Sequence, residues 1–315
     1  MSRLSTAFAC AVLLSFATAN VRAQEQATQT AAAPTARVEV LLTGGRGRAA
    51  PEPTREDVRV YVDGVERPVV SFEKEARPVS YGLVVDNSGS LRSQANAVVS
   101  AAKHMVRQNG AEDETFVVRF VSSDNIQLLQ TLTADVAALD KAFDTMRIQG
   151  GQTALLDALF LAGDYLVKNA KRDGAPPRRL ALVLVSDGED RQSWHKLEEV
   201  LKLLKGGGVQ VFCVGLTGAL EDQRGFVSKG KRETAKDLLA KLSTETGGRV
   251  FYVEKDGQLE EAVGAVVWNL RTRYVIGYTP PEPGARGRGK VEVKLVGALS
   301  KEKLKAEIVS TAEQK

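Results

Sequence analysis

The stretch YGLVVDNSGSL, residues 81–91, decides how this chain folds. It opens with an apolar run that has no polar alternation, which is typical of a β-strand buried on both faces of a parallel sheet. The run ends at Asp86, and a short polar stretch, 87–90, leads into a helical pattern that begins near Leu91. In open α/β sheets, ligands bind just beyond the carboxyl ends of such strands. The stretch therefore predicts both a fold class and the place of a site.

Further apolar runs of the same kind follow along the chain, at 116–121, 180–185, 209–216, 250–253 and 274–278. Between them, apolar residues recur at three- and four-residue spacing, which predicts helices at 91–108, 136–146, 154–168, 196–205, 233–244 and 257–271. Strands that alternate with helices in this way favour an α/β fold, a doubly wound and mostly parallel sheet flanked by helices.

Both ends of the chain show a different pattern, in which apolar and polar residues alternate. This alternation is found at 38–42, 58–62 and 69–72, and again at 290–296 and 304–310. Each end has too few strands to bury a core by itself, so we expect the two ends to meet in one small β-sandwich-like unit. The resulting division is an N-terminal β segment at 37–78, the α/β domain at 79–280 and a C-terminal β segment at 281–315.

The first 36 residues lack the pattern of a folded domain. Residues 1–23 are typical of a secretory signal peptide, with Arg3 before an apolar run and a cleavage site after Ala23. Residues 24–36 are rich in Ala, Thr and Gln, which indicates a flexible leader. No later apolar run reaches the ~20 residues that a membrane-spanning helix needs. We therefore expect a secreted or periplasmic protein without a transmembrane segment.

Cysteine content and charge exclude several classes of protein. Of two cysteines, Cys10 would leave with the signal peptide and Cys213 lies in an apolar run, so no intrachain disulfide is expected. A lipoprotein anchor at Cys10 is disfavoured because that cysteine precedes most of the apolar region. The formal charge falls from +4 to +2 when residues 1–23 are removed, which gives no indication of a nucleic-acid partner.

Three polar motifs supply oxygen side chains at predicted strand ends or in a glycine-rich loop. In extended chain every second side chain faces the same way, so Asp86, Ser88 and Ser90 can converge. Thr153 follows two glycines, and Asp187 follows the strand at 180–185. Carboxylate and hydroxyl oxygens suit a hard cation such as Mg²⁺ better than zinc or copper.

The motifs DNSGS (86–90), GGQT (150–153) and SDGED (186–190), in this order, resemble the metal-ion-dependent adhesion site (MIDAS) of von Willebrand factor type A (VWA) domains. The resemblance covers roughly residues 79–279, and the flanking β segments are similar to those of the secreted bacterial "VWFA-related" family. It implies that Mg²⁺ (or Mn²⁺ or Ca²⁺) is held by five residues. These are Asp86, Ser88, Ser90, Thr153 and Asp187.

The function that the resemblance implies is binding without catalysis. A protein partner would present an Asp or Glu carboxylate to the metal, in adhesion or in the assembly of an envelope complex. Candidate partner contacts around the metal are Asn87, Gln152, Glu189, His195 and Phe226. The helical pattern places His104 on a solvated face.

Other functions and another use of the acidic loop remain open. The domain could be a structural scaffold in which the metal only stabilises the loops. A hydrolase is disfavoured because the chain has no G-x-S-x-G motif. Glu189 and Asp190 beside Asp187 could form a second acidic cation pocket, although such a run is more often a solvated loop.

Overall fold

The computed structural model describes residues 35–44, 52–75, 77–170, 177–220, 230–255, 257–282, 289–302 and 304–313. With strands numbered along the chain, a six-stranded sheet has the order β10 (Val250–Tyr252), β9 (Val209–Gly215), β8 (Arg179–Ser186), β5 (Val79–Asp86), β6 (Glu114–Phe120) and β7 (Ile126–Thr133). All its pairs are parallel except β6 with β7. The predicted α/β class, with a doubly wound and mostly parallel sheet, is confirmed.

Helices cover both faces of this sheet. They are α1 (Ala95–Val106), α2 (Val136–Asp144), α3 (Leu155–Asn169), α4 (Leu197–Gly207), α5 (Lys231–Glu245) and α6 (Gln258–Arg271). Residues of α1, α2 and α6 share one apolar cluster with Leu83 and Val85, while residues of α3, α4 and α5 share another with Val84. Because β5 is buried on both faces, its sequence shows no alternation.

The two ends of the chain form a unit of two antiparallel sheets, which we call the β unit. One sheet has the order β13 (Leu304–Glu313), β1 (Ala36–Gly44), β11 (Arg273–Tyr278), β4 (Val69–Lys74). The other has the order β12 (Val291–Leu295), β2 (Val58–Val62), β3 (Val65–Arg67). The pairs β1 with β13 and β2 with β12 join opposite ends of the chain around a shared apolar cluster. The expectation that both ends meet in one unit is confirmed.

The strand β11 differs from the prediction, which placed residues 274–278 in the parallel sheet. It lies between β1 and β4 and pairs antiparallel with both. Tyr274 and Ile276 belong to the cluster of the β unit, and Arg273 on the opposite face is also buried. A strand covered on both faces carries the same apolar signature in either kind of sheet, which explains the error.

The predicted helix at 91–108 also differs in its first turn. It begins as a 3-10 helix, Gly89–Gln94, and continues as α1. His104 is exposed on α1, as expected for a solvated face. Cys213 is fully buried, which raises the pKa of its thiol to about 12. No helix in the described part of the chain combines the length and apolarity needed to cross a membrane.

Candidate metal centre

Asp86 is the last residue of β5 and is held rigidly at the carboxyl edge of the central sheet. It is 1% exposed. Its Oδ2 accepts a hydrogen bond from Ser186 Oγ at 2.7 Å, and its Oδ1 accepts one from the backbone N–H of Ser88 at 2.9 Å. Ser186 ends the neighbouring strand β8, so this strand and the loop after β5 together fix the orientation of the carboxylate. The sequence around Ser186 gave no indication that its hydroxyl holds the Asp86 carboxylate.

Ser88 and Ser90 lie together in the first loop of the site. Their hydroxyl oxygens are 2.9 Å apart. Ser88 is 2% exposed, whereas Ser90 in the following 3-10 helix is exposed. The alternation of side chains predicted for 86, 88 and 90 therefore brings both hydroxyls to the same side as the Asp86 carboxylate, with Ser90 nearest to solvent.

Asn87 connects the first loop to the second. Its carbonyl accepts a hydrogen bond from the N–H of Gln149 at 3.0 Å, and its Nδ2 donates to the carbonyl of Arg147 at 2.8 Å. It is 2% exposed. The expectation that Asn87 contacts a partner is therefore wrong, because its amide is buried and used to hold the second loop.

The second loop places Thr153 in a buried position just before α3. Gly151 packs so closely against Val121 that an added Cβ would lie 2.4 Å from its Cγ1, which explains why this position is glycine. The Thr153 carbonyl accepts hydrogen bonds from the N–H groups of Arg191 at 2.8 Å and Gln192 at 3.2 Å. These bonds join the second loop to the third.

Asp187 in the third loop has one satisfied oxygen and one that is not. Its Oδ1 accepts a hydrogen bond from the N–H of Glu189 at 3.0 Å. Its Oδ2 is buried and has no hydrogen-bond partner among the described residues. Gly188, with φ +84°, makes the turn that allows this arrangement. Since buried polar atoms are nearly always paired, the free oxygen indicates a position for a cation.

The electrostatics of the Asp86 and Asp187 carboxylates also indicate a position for a cation. Burial, together with the nearby charge of Asp187, raises the pKa of Asp86 to about 6 against the opposing hydrogen bonds from Ser88 and Ser186. Two buried carboxylates near each other disfavour ionisation of both. A divalent cation between them would offset this repulsion.

The donor set therefore fits a hard divalent cation. Asp86, Ser88, Ser90 and Asp187 interact directly or electrostatically, and Thr153 lies in the adjoining loop. All five offer oxygen, which suits Mg²⁺, Mn²⁺ or Ca²⁺. No group of three or more His, Cys, Asp or Glu side chains that could hold a metal occurs within the described residues. Any ion here must therefore also use hydroxyls.

The acidic loop beyond Asp187 is not a second cation pocket. Glu189 forms an ion pair with Arg191. Asp190 accepts hydrogen bonds at its Oδ1 from the N–H of Leu155 at 2.8 Å and from Ser193 Oγ at 2.6 Å, and so caps α3. The sequence did not indicate this cap because Asp190 lies 35 residues from Leu155. Of the candidate contacts, Gln152 is exposed, while Glu189 is largely covered.

His195 and Trp194 lie on the third loop, fastened to α3. The backbone N–H groups of both donate to the Asp157 carboxylate, and His195 Nδ1 lies 2.7 Å from Asp157 Oδ1. The imidazole stacks on Phe160 with ring centroids 3.8 Å apart, while Trp194 is 85% exposed. No serine hydroxyl in the described ranges is hydrogen-bonded to His195, so the pair with Asp157 is not completed into a triad. Phe226 lies outside the described residues.

A doubly wound sheet with an oxygen-lined site at the carboxyl edge of its central strands defines a class of α/β domains that offer a metal-binding surface. The family model described as "von Willebrand factor type A domain" matches residues 82–265. The chain belongs to this VWA family. VWA domains commonly hold a divalent metal ion at the MIDAS and mediate protein–protein interactions.

The chain is similar to several solved structures. A von Willebrand factor type A protein from Catenulispora acidiphila matches with a TM-score of 0.51 and 16% identity over 91% of this chain and 74% of that chain. BatB from Bacteroides thetaiotaomicron matches with a TM-score of 0.47 and 15% identity over 61% of this chain and 98% of that chain. Proximal thread matrix protein 1 from the mussel byssus, solved with a zinc-occupied MIDAS motif, matches with a TM-score of 0.47 and 18% identity. This match covers 62% of this chain and 48% of that chain. No curated protein matches the chain.

Proposed function

We propose that this chain is an extracytoplasmic binding protein that captures an Asp or Glu carboxylate of a partner protein through a divalent cation, and that it catalyses no reaction. The observation that carries this proposal is the buried Oδ2 of Asp187, which has no hydrogen-bond partner among the described residues. The residues that would hold the ion are Asp86, Ser88, Ser90, Thr153 and Asp187.

The chemistry of these ligands favours capture of an external anion. Both oxygens of Asp86 and one oxygen of Asp187 already accept hydrogen bonds from the protein, which reduces the negative charge that they offer to a cation. The hydroxyl ligands carry no charge. A bound Mg²⁺ would supply an unsaturated positive centre at the surface, and a carboxylate is a suitable hard ligand for it.

The scaffold alternative is less well supported. It requires that the ion be needed to hold the three loops together. Hydrogen bonds between Gln149 and Asn87, and between Arg191 and Thr153, already join these loops in pairs. The ion is therefore better placed for contact with a partner than for holding the loops.

Partner specificity must come from the surface around the ion, since a single metal–carboxylate contact is common to all acidic partners. Trp194 is the strongest candidate here because exposed aromatic side chains frequently anchor protein interfaces. Its backbone is fixed to Asp157 by hydrogen bonds at 3.0 Å, so little backbone entropy is lost when the side chain is buried. Gln152 is a second exposed candidate.

The location is proposed from residues 1–23, whose pattern is that of a secretory signal peptide. An envelope or surface protein with an exposed acidic residue is accordingly the expected partner.

The test is capture of proteins from the native envelope fraction on immobilised chain, in Mg²⁺ and in EDTA. We expect a defined set of proteins to be retained in Mg²⁺, lost in EDTA and lost with Asp187→Asn. Trp194→Ala should weaken retention while leaving the Mg²⁺-dependent gain in thermal stability unchanged. Lys202→Ala, at an exposed position on α4, is the control.

Retention that is equal in Mg²⁺ and EDTA, with stability still increased by Mg²⁺, would favour the scaffold function instead. Turnover of a substrate that is lost with His195→Ala would contradict the absence of catalysis.

A further inference from the structure

A groove in the β unit is lined by three arginines. It has a volume of about 460 Å³ and lies where β2 begins and β3 ends. Arg55, Arg59 and Arg67 line it together with two acids, Glu56 and Glu66. The groove therefore carries an excess of positive charge.

Arg67 is the distinctive member of this group. It pairs across the sheet with Val60, which is fully buried, so its side chain leaves the strand on the core-facing side. Its Nε is buried without a hydrogen-bond partner, and no described residue forms a hydrogen bond or ion pair with its guanidinium. Within the described residues this partly buried cation has no counter-charge, and such a group is costly to the fold.

Other partly buried arginines in the described part of the chain differ from Arg67, because their guanidinium groups have hydrogen-bond acceptors. Arg119 and Arg273 each also have one unpartnered buried nitrogen. However, Arg119 donates twice to Gln127, at 3.1 and 2.8 Å, and Arg273 donates to Gln210. Their guanidinium groups are thus held by an acceptor within the protein, whereas no described residue accepts a hydrogen bond from Arg67.

The two acids do not neutralise the groove. Glu66 is shared, since it lies 3.4 Å from Arg59 Nε and also accepts a hydrogen bond from the Tyr61 hydroxyl at 3.4 Å. Glu56 is exposed at the rim.

The other two arginines are oriented by backbone carbonyls. Arg55 donates to the carbonyl of Val69, and Arg59 Nη1 donates to the carbonyls of Glu56 at 3.0 Å and Val58 at 2.9 Å. Each guanidinium has five N–H donors, so several remain for a ligand. Because the groups are already oriented, binding would require little ordering of long side chains.

We propose that this groove is an anion-binding site for a phosphate group, with Arg67, Arg55 and Arg59 as its ligands. Guanidinium groups bind phosphate oxygens through paired, charge-assisted hydrogen bonds. A phosphate group presents several anionic oxygens on one centre, which matches three arginines and two partly shared acids better than a single carboxylate does. The phosphate could be free or part of a lipid headgroup, and the test separates these sources.

The experiment uses the full mature chain in EDTA, so that phosphate cannot bind through a divalent ion. Inorganic phosphate is titrated by calorimetry, and vesicles of phosphatidylglycerol are compared with vesicles of phosphatidylcholine by co-sedimentation. We expect phosphate binding that weakens about tenfold or more in Arg67→Gln, because charge-assisted bonds are lost. Arg55→Gln, at an exposed position, should weaken it less, and Arg92→Gln is the matched control outside the groove.

Each outcome decides the proposal. Binding of inorganic phosphate that depends on Arg67 supports a free phosphate ligand, and binding of phosphatidylglycerol vesicles alone, with the same dependence, supports a lipid headgroup. Equal binding by wild type, Arg67→Gln and Arg55→Gln overturns it, as does the absence of binding in both arms. Should Arg67→Gln unfold, Arg55→Gln alone carries the comparison.

Discussion

Replacing Asp86 by asparagine should stabilise the protein when no metal is bound and remove most of the stabilisation by Mg²⁺. This carboxylate is 1% exposed and lies near Asp187. We expect Asp86→Asn to be more stable than wild type at pH 7 in EDTA, and less responsive to Mg²⁺. The substitution keeps the size of the side chain and removes its charge.

The magnitude follows from the pKa of Asp86, which burial raises from an ordinary 3.8 to about 6. The folded state then binds the proton more tightly than the unfolded chain. Stability that is present below pH 4 is therefore lost as the pH rises from about 4 to about 6. At about 1.4 kcal/mol per pKa unit, the loss is about 3 kcal/mol.

Asparagine avoids this loss but satisfies only one of the two donors that the carboxylate accepts from, Ser88 N–H and Ser186 Oγ. An imperfect hydrogen bond costs about 1 kcal/mol. The net gain of Asp86→Asn in EDTA at pH 7 is therefore about 2 kcal/mol. Wild type should gain ~2.7 kcal/mol when free Mg²⁺ is ~100 times its dissociation constant, and the variant should gain little.

Chemical denaturation at pH 4, 5, 6 and 7, with EDTA or with Mg²⁺, measures these differences. Asp190→Asn is the control, because its carboxylate caps α3. It should change stability little under every condition, because an asparagine oxygen can still accept these hydrogen bonds, and it should keep the gain from Mg²⁺. The reasoning is refuted if Asp86→Asn and wild type respond equally to Mg²⁺, or if both show the same pH dependence in EDTA.

Three further predictions concern the turn after Asp187, the β unit and export. Gly188→Ala should lose about 2 kcal/mol of stability and bind Mg²⁺ more weakly, since its φ is +84° and the new Cβ would lie 2.9 Å from Leu239. Gly64→Ala, at φ +82° in open space, should lose only about 1 kcal/mol of stability. Equal losses of the two variants in chemical denaturation would contradict this reasoning. Deleting residues 283–315 should accelerate hydrogen exchange in β1 and β2, which lose their partners β13 and β12, and unchanged protection would exclude it. Mass spectrometry of exported protein should find an N-terminus near Gln24, and an intact Met1 in that fraction would disprove cleavage.

The elements predicted from sequence were those in which local pattern and burial agree. Strand β5 and helix α3 show this, since one is buried on both faces and the other has regular apolar spacing. Strand β7 was missed because it is an edge strand with partly exposed residues and an irregular register against β6. Strand β11 was predicted as a strand but placed in the wrong sheet, because burial does not reveal pairing direction.

For the site, the motif residues followed from short spacing, but their partners did not. Ser186 is 100 residues from Asp86, and Asp157 is 38 residues from His195. Such pairs form only once the sheet brings distant segments together. The burial of Asn87 was unforeseen for the same reason, since its acceptor, Arg147, is 60 residues away. A polar residue beside a ligand motif gives no sign of its exposure.

The pairing of β4 with β11 has a consequence for the order of folding. These antiparallel neighbours enclose the whole α/β domain, whose sheet uses strands from Val79 to Tyr252. The β unit also pairs Ala36 with Glu313, at opposite ends of the described chain. Contacts between such distant segments form slowly because a long loop must close first. The α/β domain should therefore fold first, and its closure brings β4 and β11 together as the template on which β1 and β13 assemble.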